Sequence, residues 1–133
     1  MSKRENQYKR AEGIIDFMMN QVEMWRIKEL ILILSEIAGI LRRGNNREWA
    51  AVFEHYKMES REIISGKKFG SQELKNLIRN IRCGIKGPHF SHYHIDIDIP
   101  HDEPSIFEDF LRCKTRLSQI LDEMDIRFNE YIH

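Results

Sequence analysis

The sequence predicts a mainly α protein: a single-domain helical bundle of four to five helices spanning residues 1–133, with one short extended segment or hairpin near residues 85–99. Three observations carry that prediction. Apolar residues recur at intervals of three and four through most of the chain, the spacing of one helix face. The stretch Met24–Leu41 is the most apolar and reads as a helix around which the rest packs. Only His92–Ile99 changes to a period of two.

Taken in order, Tyr8, Ala11, Ile14, Ile15, Met18 and Met19 suit an amphipathic helix over residues 5–20, weakened by Gly13. The central helix follows over residues 24–43. Its run of five aliphatic residues, Leu30–Leu34, calls for cover on more than one side. The run alone fits a short strand equally well, but the pattern outlasts a strand and the turn signal Gly44-Asn45-Asn46 comes only after Arg42 and Arg43. Those two cations complement the helix C-terminus.

A second helix carries Trp49, Val52, Phe53, Tyr56, Ile63 and Ile64, with Asn45 or Asn46 as cap and Gly66 as stop. The third starts at Ser71, expected as its N-cap, and carries Leu74, Leu77, Ile78 and Ile81 to an end near Gly84. In the extended segment Tyr93, Ile95, Ile97 and Ile99 would share one strand face, with His92, His94, Asp96 and Asp98 on the other. Such a strand needs a backbone partner, either residues near 85–90 or another chain. Pro104 and Ser105 then open a long last helix, with Ser105 and Glu108 at capping-box spacing and an apolar stripe from Phe107 to Tyr131.

At 133 residues, 41% hydrophobic and 32% charged, the composition fits one folded domain with no repeat, linker or low-complexity tract. The central helix carries charges too often to cross a bilayer, which needs ~20 apolar residues. The opening residues, MSKRENQYKRAEG, lack the apolar core of a secretory signal, so the expected location is the cytoplasm. Cys83 and Cys113 fall within helical patterns and are expected as reduced, packed thiols. Trp25 and Trp49 lie on apolar stripes and are expected in the core, while His55 is expected at the edge of a helix face.

Formal charge is zero, which argues against a protein held to nucleic acid by its overall field. The balance hides an asymmetry. Residues 67–86 hold six bases (Lys67, Lys68, Lys75, Arg79, Arg82, Lys86) and one acid, Glu73. Residues 87–111 hold six acids and no Lys or Arg. The acids Asp96, Asp98, Asp102, Glu103, Glu108 and Asp109 therefore form the candidate partner-binding surface, since carboxylates steer a basic partner and imitate phosphates in a nuclease site. The ordinary reading is that the basic helix is a solvated face, or is itself paired with the acidic segment.

An alternative assigns His92, His94 and Asp96 to a divalent metal, because imidazole and carboxylate are common ligands and alternate strand residues point the same way. Against it stands a solvated polar strand face, and no metal-binding motif accompanies the histidines. No nucleophile elbow or phosphate-cradling glycine loop is present, so the expectation is a non-enzyme without a cofactor.

The helix opening Glu48-Trp49-Ala50, the later Leu77-Ile78-Arg79-Asn80-Ile81 and the turn Gly87-Pro88-His89-Phe90-Ser91 resemble small bacterial helical proteins whose helix ends in a glycine-rich Ser-Phe-Asn turn. With an acidic face and no catalytic signature, the chain also resembles the immunity proteins of bacterial toxin systems, including contact-dependent growth inhibition. That resemblance implies a cognate toxin protein as partner, with no membrane or nucleic acid needed for binding. It leaves the oligomeric state open.

Overall fold

The computed structural model describes residues 24–66, 71–86 and 96–132, and within them the protein is an all-helical four-helix bundle without strands. Helix α1 covers residues 24–43, α2 Arg47–Ile64, α3 Ser71–Lys86 and α4 Ile106–Ile132. The expected helix over residues 5–20 and the histidines at 92 and 94 lie outside the described residues.

One apolar core joins all four helices. Ile27, Leu30, Leu34, Ile37 and Leu41 of α1 are fully buried, as are Phe53 of α2, Leu74 and Ile81 of α3, and Phe110, Leu117, Ile120, Leu121 and Met124 of α4. At roughly 1.5–3 kcal/mol for each large apolar side chain fully buried, this shared core, not helix propensity, dominates stability. Ser60 is the one buried polar residue among those described, and its hydroxyl donates to the Tyr56 carbonyl at 2.8 Å. Burial therefore leaves no unmet donor there.

The central run Leu30–Leu34 is covered on most sides but not all. Leu30, Ile33 and Leu34 are buried, Ile31 is half-buried against the core, and Leu32 is 68% exposed. Consecutive residues on a helix are separated by about 100°, so a run of five must send one side chain outward unless a neighbour encloses the whole turn. Trp25 corrects the core expectation in the same way: it is 54% exposed, with the Arg26 guanidinium 4.3 Å from its ring centroid. Trp49 is half-buried against the core. Cys83 is exposed and Cys113 buried, and both thiols are free.

Helix ends follow local chemistry. Asn45 takes a left-handed backbone (φ 61°), which lets α1 turn at once into α2, and the Asn46 side chain accepts the Trp49 N–H at 3.2 Å as the N-cap. Gly66, at φ 84°, closes α2 with its N–H on the Ile63 carbonyl. Two boundaries differ from the reading of the sequence. Ser71 is the first residue of α3, and that helix passes through Gly84 to Lys86. Residues 85–86 therefore belong to a helix, with Ile85 in the core, and not to a hairpin. A Cβ at Gly84 would come within 2.7 Å of the Tyr56 hydroxyl, so here glycine serves close α2–α3 packing instead of ending a helix.

Helices α1 and α4 run in opposite directions. Arg26 pairs with Glu123 at 2.6 Å, Glu29 pairs with Arg116, Glu36 meets Cys113 at 3.2 Å, and Arg43 pairs with Glu103 at 2.9 Å. The first partner advances along the chain while the second retreats. Across the other seam, Arg82 of α3 joins Asp122 (2.9 Å) and Asp125 of α4.

Candidate functional site

The acidic segment is held against the α1–α2 turn. The Asp98 N–H donates to the Gly44 carbonyl at 2.9 Å, Asn45 Nδ2 to Asp98 Oδ2 at 3.1 Å, and Asn46 Nδ2 to the Asp96 carbonyl at 3.2 Å. Ile97 packs over Gly44, where an added Cβ would lie 2.4 Å from Ile97 Cγ2. Residues 96–100 form no strand. The Asp98 N–H bonds to a turn, and a turn offers no second row of donors and acceptors along which a ladder could grow. The expected alternation fails here as well: Ile97 is half-buried, but Ile99, on the same nominal face, is 60% exposed.

The six predicted acids divide into two sets. Glu103 pairs with Arg43, Asp109 with Arg112 at 3.2 Å, and Asp98 accepts from Asn45. Asp96, Asp102 and Glu108 are exposed and carry no ion pair among the described residues. The basic helix does not neutralise this segment through Arg82, which is engaged with Asp122 and Asp125. The neutralising cations come from α1 and α4.

Arg42 belongs to the same corner. It donates to Glu54 at 2.8 Å, and this hydrogen bond holds the Glu54 carboxyl below its usual range. His55 is exposed and sits 2.6 Å from Glu59, in keeping with a place at the edge of its helix.

The seam between α1 and α4 opens into a groove that the sequence did not single out. Its larger part, about 470 Å³, is lined by Ile33, Glu36, Arg112, Cys113, Thr115, Arg116 and Gln119. A smaller part of about 200 Å³ shares Glu36, Arg112 and Cys113 and extends past Gly39 and Ile40 to Arg43 and Asp109. The groove thus ends at the acidic segment. Cys113 Sγ donates to Glu36 Oε2 at 3.2 Å. Burial, reinforced by that hydrogen bond and by the negative charge of Glu36, pushes the Cys113 thiol up to about 11. A thiol so raised stays protonated at neutral pH and is a poor nucleophile, so the pair supplies a hydrogen bond and a charge, not covalent chemistry.

The only sign of this groove in the sequence is that Glu36 interrupts an apolar helix, and an interrupting carboxylate usually marks a solvated turn. Of the alternative metal set His92, His94 and Asp96, only Asp96 is described, and it is exposed. Among the described residues no three His, Cys, Asp or Glu side chains converge on a point that could hold a metal ion. No helix among them is long and apolar enough to cross a membrane.

Comparison with known protein families, with curated proteins and with solved structures finds no match to the chain.

Proposed function

We propose that the protein is a binding protein of immunity type, which masks a cognate toxin domain by presenting Asp96, Asp102 and Glu108 to a basic surface on that toxin. The observation that carries this reading is the pairing pattern: these three carboxylates are exposed and have no ion pair among the described residues, while their neighbours Asp98 and Glu103 are tied to the α1–α2 corner. Anchoring keeps the free carboxylates in place before contact, which lowers the ordering cost of binding. Their charge speeds encounter with a cationic partner more than it adds affinity.

The test is co-expression with a toxin domain encoded beside this gene, reading growth and complex formation. Protection is expected from the wild type, and the triple charge reversal Asp96→Lys, Asp102→Lys, Glu108→Lys is expected to abolish it. That variant should also lose most of the salt dependence of association. Protection that is equally strong in the triple variant would remove the acidic segment from the reading.

A further inference from the structure

We propose that the α1–α4 groove receives a basic side chain, Arg or Lys, of the protein partner, with the Glu36 carboxylate as its counter-ion. The proposal deepens the reading above and rests on its premise that the partner is basic.

Charge pairing selects Glu36. Along this seam the arginines are Arg26, Arg43, Arg112 and Arg116, and the carboxylates are Glu29, Glu36, Glu103, Asp109 and Glu123. Each arginine is ion-paired with a carboxylate other than Glu36: Arg26 with Glu123, Arg43 with Glu103, Arg112 with Asp109, and Arg116 with Glu29 and Glu123. Among the described residues Glu36 accepts only from the neutral Cys113 thiol. Among the described residues it is the one carboxylate of the seam without a cation, and it is exposed and lines both parts of the groove.

The shape of the groove fits the same guest. At about 470 Å³ the larger part of the groove is open to solvent and has room for a long side chain. Ile33, Ile40 and the Cys113 side chain give it an apolar floor on which the methylene stem of a long basic side chain can lie, its charged end reaching Glu36. Gly39 keeps the trough open on the α1 side. An anionic guest would meet the Glu36 carboxylate, whereas the positive charge of Arg112 and Arg116 is already offset by Asp109, Glu29 and Glu123.

The groove also continues into the acidic segment. Asp109 belongs to both, and Arg43, at the far end of the groove, holds Glu103. A basic surface approaching Asp102 and Glu108 is therefore placed to extend a side chain along the trough.

The probe is the blocked tripeptide acetyl-Gly-Arg-Gly-amide, titrated into the full chain at low salt and followed by amide NMR shifts. Its neutral counterpart carries citrulline in place of Arg. Saturable shifts are expected at Glu36, Gly39 and Cys113, at least tenfold weaker with the citrulline peptide and at least tenfold weaker in Glu36→Gln, which keeps an acceptor for the thiol. The variant Asp96→Asn, Asp102→Asn, Glu108→Gln should bind the tripeptide within twofold of wild type. That arm keeps a failure of this proposal distinct from a failure of the acidic segment, which is read in the toxin assay. Equal binding of the citrulline peptide, undiminished binding to Glu36→Gln, no shifts in the groove, or tighter binding of acetyl-Gly-Glu-Gly-amide would each overturn the proposal.

Discussion

Two negative regions of this molecule differ in an instructive way. The segment from Asp96 to Asp109 holds six carboxylates, yet two of them are matched by arginines and a third by an asparagine. Among the described residues the α1–α4 groove has a single carboxylate without a cation, Glu36, bonded to a buried thiol and flanked by arginines that are engaged elsewhere. Counting acids along the chain finds the first region and passes over the second. What a partner meets is the charge left after pairing, and pairing is decided across helices.

The comparison can be broken at several points. The largest expected effect concerns the groove and pH. The Cys113 thiol is raised in the fold, so the stability it contributes is complete below its unfolded value, near 9, and is lost as pH climbs through about 11. Wild type should therefore lose about 2 kcal/mol more between pH 9 and 11 than Cys113→Ser, which keeps a donor for Glu36 but does not titrate. Urea unfolding across that range measures it, and parallel curves would show that the thiol is not held protonated by the groove.

Next is the anchor of the acidic segment. Gly44→Val places a side chain where Ile97 sits and should cost about 1.5 kcal/mol. It should also release the Asp98 amide from Gly44, read as faster hydrogen exchange at Asp98. Exchange as slow as in wild type would mean that the turn does not hold the segment.

Arg82→Ala is the control on the opposite seam. Removing its bonds to Asp122 and Asp125 should lower stability by about 1 kcal/mol and leave both negative regions unchanged in tripeptide and toxin assays. Altered toxin binding in this variant would couple the basic helix to the acidic segment after all.

The smallest effect sharpens the contrast between paired and unpaired carboxylates. Glu103→Gln removes an exposed pair with Arg43 and should cost ~0.5 kcal/mol or less. Neutralising Asp102, which is exposed and has no ion pair among the described residues, should change thermal stability by less still. A larger loss from the second change than from the first would mean that Asp102 has a structural role.

Much of the fold was legible residue by residue. The span of α1, the Asn46 cap and the Gly66 stop all depend on neighbours within a few positions, and all appear where the pattern places them. Less legible was whatever required a distant partner. Gly84 looks like a helix stop, but Tyr56 approaches it from α2 and α3 continues to Lys86. Trp25 and Cys83 sit in helical patterns without being covered, since periodicity tells which residues share a face and not whether a neighbour reaches them.

The sequence by itself determined a helical bundle packed around the helix at residues 24–43, because apolar spacing and end-capping act over a few residues and need no knowledge of what lies opposite. It also supplied the block of acids at 96–109. Tertiary structure alone decided which of those acids have no cation among the described residues, and that Glu36 has none there. Ion pairs join residues far apart in the chain, as Arg43 joins Glu103 and Arg116 joins Glu29, so unmatched charge is a property of packed helices and not of a stretch of sequence.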